Sequence, residues 1–167
     1  MQTARQVSLI IAISLWAIII GGIVYSHIVY FPPYLSHLQE STSLLTGDYG
    51  LHEENFWMFI HPLNILFTIL ALILNWKIHS RRKWIAVTLV IYVIVIIVTA
   101  FYFLPGLTEF ADSANQPGIS GTEWDRKGQR WQQLSWVRGV FMYLGFLFLV
   151  IALSKRDNLY PDRLRTK

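Results

Sequence analysis

The chain has 167 residues, 54% of them hydrophobic and 15% aromatic, with a formal net charge of +4 at pH 7 and a mean hydropathy of +0.43. That profile excludes an ordinary soluble domain and leaves no room for a separate soluble one. The absence of cysteine excludes disulfides, thiolate metal ligands and cysteine nucleophiles.

Four apolar runs follow in chain order: VSLIIAISLWAIIIGGIVY at 7–25, FWMFIHPLNILFTILALILNW at 56–76, WIAVTLVIYVIVIIVTAFYFL at 84–104 and LSWVRGVFMYLGFLFLVIAL at 134–153. Each has about 20 residues, enough to cross a hydrocarbon layer of roughly 30 Å as a helix. Helix is the expected conformation because the layer offers the backbone no other hydrogen-bond partner. The first run is longer than a signal-peptide core and lacks a small-x-small site before Tyr25, so it reads as a retained span. The expected fold is an all-α, integral membrane four-helix bundle forming one domain over 1–167. Its spans lie near 7–30, 55–76, 84–104 and 134–153, and its outer segments at 31–54 and 105–133.

Orientation follows from the basic residues. Arg5, Lys77, Arg81, Arg82, Lys83, Lys155, Arg156, Arg163, Arg165 and Lys167 fall on one side; Arg126, Lys127, Arg130 and Arg138 fall on the other. The positive-inside rule then places both termini in the cytoplasm, in a bacterial inner membrane. The excess positive charge meets anionic headgroups rather than nucleic acid. HSRRKW (79–84) reads as the tight inner turn between the second and third helices.

Glu40, Asp48, Glu53, Glu54, Glu109, Asp112, Glu123 and Asp125 lie on the outer side, against Asp157 and Asp162 inside. His27, His37, His52 and His61 are outer as well, so groups capable of chemistry collect on that face. FPPY (31–34) is expected to end the first helix, because a proline pair removes two backbone donors. Gly47, Asp48 and Gly50 supply turn residues, and LPG (104–106) opens the second outer segment. Thr122 and Asp125 fit a capping box that starts the fourth helix well before the membrane. Trp124, Trp131 and Trp136 then form either an interfacial belt or a pocket lining.

All four helices bring polar side chains to a similar outer level. His27 stands at the end of the first, Glu53, Glu54 and His61 in the first turns of the second, Glu109 and Asp112 after the third, and Arg138 just inside the fourth. Glu54, Trp57, His61 and Asn64 share one helical face by spacing. Pro62 is positioned to kink the helix beside His61. Imidazole plus carboxylate suits iron or copper, with His27, His61, Glu54 and His52 as the metal-ligating set. Each residue also has a structural reading: His27 as an interface residue between Tyr25 and Tyr30, His61 as a hydrogen-bonded structural histidine, His37 and His52 as exposed loop residues. Arg138 either snorkels to the headgroups or is a buried charge held by Glu54 or Glu109. Asn64, Thr68 and Thr99 read as helix–helix hydrogen bonds, and Gly21, Gly22, Gly139 and Gly145 as points of close helix approach. Phe101, Tyr102, Phe103, Phe141, Tyr143, Phe146 and Phe148 either face lipid or enclose a flat lipophilic molecule.

Three stretches together resemble the anthrone-oxygenase-like family of small four-helix membrane proteins. They are GGIVYSHIVYFPPYL (21–35), FWMFIHPLNIL (56–66) and WQQLSWVR (131–138), the last similar to a Trp-x-x-x-Asn-x-x-Arg pattern. Ser135 departs from the asparagine of that pattern. The resemblance implies oxygenation of a lipophilic phenolic or polycyclic substrate, with no cofactor firmly implied. The leading functional expectation is therefore a membrane oxidoreductase or oxygenase, with Glu54 and Arg138 as catalytic residues and His27 and His61 binding a cofactor. A second expectation is a haem held between His27 and His61 as axial ligands. A third is a non-enzymatic subunit, assembly factor or scaffold, as a homo-oligomer or with a membrane partner subunit. A transporter or channel is disfavoured, because no span carries a charged relay or a full-length polar stripe.

Overall fold

The structure, a computed structural model, describes residues 2–44, 50–116 and 118–155, apart from the side chains of Gln39 and Ala114. The turn residues Gly47 and Asp48 and the charges Arg156, Asp157, Asp162, Arg163, Arg165 and Lys167 lie outside the described residues. The described residues are helical, with no strand among them. Four helices are long and apolar enough to cross a membrane: α1 (Gln2–Ser36), α2 (Glu53–Leu74), α3 (His79–Ala111) and α4 (Gly121–Ser154).

Lengths shape the molecule. With 35, 33 and 34 residues, α1, α3 and α4 each run roughly 50 Å at a rise of about 1.5 Å per residue, well beyond a hydrocarbon layer of roughly 30 Å. The 22-residue α2 is only about 33 Å long. The bundle is four helices deep within the membrane and three at its outer end. Two apolar cores result: an inner one around Leu9, Trp16, Ile85, Tyr92 and Leu149, and an outer one around Tyr34, Leu35, Phe110, Trp124 and Trp131. Trp124 and Trp131 are therefore core residues, and Trp136 alone of the three predicted belt tryptophans is exposed.

The prolines do not end their helices. Residues Ser26–Tyr30 form a π-turn, after which α1 resumes through Pro32 and Pro33 to Ser36. In α3, Thr99–Phe103 form a second π-turn, and the helix resumes through Pro105 to Ala111. The wide turn shifts the hydrogen-bond register, so the prolines occupy the opening positions of a new α-helical segment, where a missing N–H costs little. Helix α4 closes over both turns: Gln132 Nε2 donates to the His27 carbonyl at 3.4 Å, and Trp131 Nε1 to the Phe103 carbonyl at 3.1 Å.

Three further expectations are corrected. The cap of α4 is Ser120, whose hydroxyl accepts from the Glu123 N–H at 3.3 Å, rather than the Thr122–Asp125 pair; Ser120 is the last residue in extended conformation before the helix. HSRRKW opens α3 instead of forming the turn, which Asn75–Ile78 supply through Trp76 N–H to Ile73 and Ile78 N–H to Asn75 bonds. Of the four glycines read as helix contacts, Gly21 faces open space. An added Cβ would meet Phe56 and Trp57 at Gly22, Ile23 at Gly139 and the Trp16 ring, at 2.7 Å, at Gly145.

Candidate functional site

His27 sits inside the α1 π-turn, 3% exposed. Its Nδ1 lies 2.7 Å from the Ile23 carbonyl, so this nitrogen carries the proton and donates. In the neutral ring Nε2 is then a lone-pair acceptor, and it is buried with no hydrogen-bond partner. Aromatic rings hold the imidazole in place: Trp136 at 4.5 Å between centroids and Phe31 edge-on at 5.2 Å. The preceding residue, Ser26, donates to Glu53 Oε1 at 2.7 Å and ties α1 to the start of α2. The Glu53 role was not read from the sequence, where Glu53 and Glu54 look equivalent.

His61 lies one face away on α2, stacked on Trp57 at 5.5 Å. Its Nδ1 is 2.5 Å from the Tyr92 hydroxyl of α3, which also reaches the His61 carbonyl at 3.4 Å. Tyr92 is fully buried and went unnoticed in the sequence, because a tyrosine inside an apolar run carries no spacing signal. One turn below His61, Asn64 is completely buried with its side chain toward the Tyr92 hydroxyl, and neither its amide oxygen nor its nitrogen makes a hydrogen bond of full geometry. The expected interhelical bonds do form at Thr68, which accepts from Trp16 Nε1 at 3.3 Å, and at Thr99.

Arg138 binds neither of the carboxylates expected for it. Its guanidinium donates to Ser135 Oγ at 2.9 Å and to Thr99 Oγ1 at 3.2 Å, and lies 4.2 Å over the Phe103 ring. Glu109 is taken by Lys127 at 2.7 Å and Glu54 by His52 at 2.9 Å, both pairs at the exposed outer surface. Among the described residues Arg138 has no ion-pair partner. A run of edge-to-face rings, Phe31 on Trp131 and Trp131 on Phe103, spans the gap from the His27 side to the Arg138 side.

His27, His61 and Arg138 are each held by different partners, and Glu54 and His52 pair with one another at the surface. Among the described residues no three His, Cys, Asp or Glu side chains converge as a metal-binding group, so the set His27, His61, Glu54 and His52 does not close around one ion. Between α1 and α2, Gly22 packs within about van der Waals contact of Phe56 and Trp57, and a haem placed there would have to displace both rings. What the geometry offers is a buried base, a tyrosine–histidine pair and an uncompensated guanidinium under an aromatic roof.

No curated protein and no solved structure matches the chain significantly. The sequence pattern described as "Anthrone oxygenase" matches residues 55–148, more than half of the chain. The match takes in His61, Asn64, Tyr92, Thr99, Ser135 and Arg138, whereas His27 and the rest of α1 lie before it. This four-helix membrane protein belongs to the anthrone oxygenase family.

Proposed function

We propose that the protein is a membrane-embedded oxygenase that acts on a small lipophilic substrate carrying an acidic C–H or phenolic O–H, near the outer ends of its helices. The observation that carries this reading is His27 Nε2, a buried acceptor without a partner in a helix turn that holds it rigidly. Leaving such an atom unbonded costs about 1–3 kcal/mol, a cost that a bound donor would relieve. π-Turns recur at functional sites for the same reason, since they re-aim a side chain and free a carbonyl.

An anthrone has a methylene between two aryl rings and opposite a ketone, so loss of a proton gives an anion delocalised onto the ketone oxygen. In our reading His27 Nε2 takes that proton and Arg138 holds the oxygen that becomes negative. The carbon then bonds to dioxygen, and His27 returns its proton to the outer peroxide oxygen. The O–O bond breaks as the second C–H hydrogen leaves; one oxygen atom stays as a carbonyl and the other departs as water. Tyr92 and His61 form a neighbouring hydrogen-bonded pair able to move a proton at the hydroxyl and Nδ1. Glu54, paired with His52 at the surface, has no step here. The outer end faces away from the cytoplasm if the basic residues direct insertion as expected.

The test is turnover of an anthrone by purified protein in lipid nanodiscs under ¹⁸O₂. Label in the new carbonyl and a fall of about 10²–10⁴-fold in His27→Gln support the reading. Absence of dioxygen-dependent product, or full activity in His27→Gln, removes it.

A further inference from the structure

A groove of about 420 Å³ lies between α3 and α4. It falls within the size range of small-molecule sites, about 300–1,000 Å³. Its walls are apolar and face the bilayer: Val98, Leu134, Val137 and Phe141 are 38–53% exposed. Phe103 lies buried at its floor. One charged residue lines it, Arg138.

A guanidinium at the base of an apolar groove is costly unless an anion meets it. Arginine has five N–H donors. Two of Arg138's go to the neutral hydroxyls of Ser135 and Thr99, which leaves donors free and the charge unbalanced among the described residues. Ser135 and Thr99 fix the fork, and the Phe103 ring covers one of its faces. Lipid acyl chains fit the walls but offer no anion at this depth. The complementary molecule has a flat apolar body and a single anionic oxygen.

We propose that the α3–α4 groove is a lateral entry and binding site for lipophilic weak acids dissolved in the bilayer, with the acid's oxygen seated on Arg138 and its rings along Val98, Leu134 and Phe141. This deepens the oxygenase reading by naming the substrate class and the route, but the binding itself needs no turnover. Arrival from the membrane accounts for an opening on the lipid face, where a water-borne ligand would have to cross hydrocarbon first.

The experiment uses the full chain in nanodiscs under nitrogen, with anthracene-9-carboxylate as probe and neutral anthracene-9-methanol as its control. Binding is read by energy transfer from tryptophan and by saturation above the lipid-only background. The proposal expects saturable binding of the carboxylate, at least about tenfold tighter than the alcohol, with that preference lost in Arg138→Gln. Val98→Trp and Leu134→Trp, which fill the groove, should abolish saturable binding of both probes. Leu66→Trp, a change at a still more exposed apolar position on α2, should leave it intact. Non-saturable partitioning alone, no preference for the carboxylate, or binding unaffected by Val98→Trp and Leu134→Trp would each overturn the site. Because oxygen is absent, a failure of binding is seen separately from a failure of oxygenation in the turnover assay.

Discussion

The two ends of the bundle treat buried polar groups in opposite ways. At the inner end several buried side chains bond the carbonyls where helices end. Arg5 Nε donates to the Leu74 carbonyl at 3.0 Å, and Asn75 Nδ2 to the carbonyls of Ala71 at 2.9 Å and Arg5 at 3.3 Å. Arg81, 2% exposed, donates to the Lys155 carbonyl at 2.9 Å and to Asn75 Oδ1 at 3.3 Å. Carbonyls left over by the ends of α2 and α4 are thereby satisfied, as helix termini in a low-dielectric setting require.

From mid-membrane outward, in contrast, His27 Nε2, both polar atoms of Asn64 and the hydroxyls of Tyr30 and Tyr34 are buried without partners. At the inner end the indole N–H of Trp84 is the counterpart. Native structures leave few such atoms, so their concentration in the outer half marks where a ligand, a substrate or water completes the structure. The inner network ties helix ends to side chains, and in our reading the outer groups are met by a bound molecule.

That contrast can be broken by substitution. The largest effect is expected from His27→Leu, which should lower turnover by about 10²–10⁴-fold while leaving the unfolding midpoint unchanged or higher, since an orphaned acceptor is removed. A midpoint that falls steeply would instead make His27 a structural residue. Next comes Asn75→Leu at the inner end. It deprives Arg81 of an acceptor and removes the side-chain bonds to the Ala71 and Arg5 carbonyls, so a loss of about 1–3 kcal/mol is expected in denaturant titration in mixed micelles. Equal stability would mean the inner network is dispensable.

Gly145→Ala pushes a methyl into the Trp16 ring that lies 2.7 Å from the added Cβ, and should cost about 1–3 kcal/mol. Asn64→Leu is the outer counterpart of the Asn75 change, with a predicted gain of about 1 kcal/mol, because an amide with no completed bond gives way to an apolar side chain of similar size. If both asparagine changes destabilise alike, the distinction between the two ends fails. Smallest of all, Lys127→Ala removes an exposed pair with Glu109 and should shift stability by less than about 0.5 kcal/mol, diminishing further in high salt.

Much of this was legible in the linear chain. Four apolar runs of spanning length left helices as the only way to satisfy the backbone in lipid. The exposed positions of His37 and His52 were legible too. Proline was the main source of error. A Pro-Pro pair stops a helix in most settings, but a π-turn ahead of it provides a new start, and that choice depends on Gln132 and Trp131 of α4 being present to meet the freed carbonyls.

The partner of Arg138 was equally out of reach. Glu54 and Glu109 are the right type at the right level, but His52 is two residues from Glu54, and Lys127 sits on the α4 face turned to Glu109. Sequence by itself determined the class and the span number, because hydropathy and helical rise act along one chain. Only the tertiary structure decided which of those groups are satisfied and which are left open, because a hydrogen bond is made or missed by angles and ångströms between helices distant in sequence.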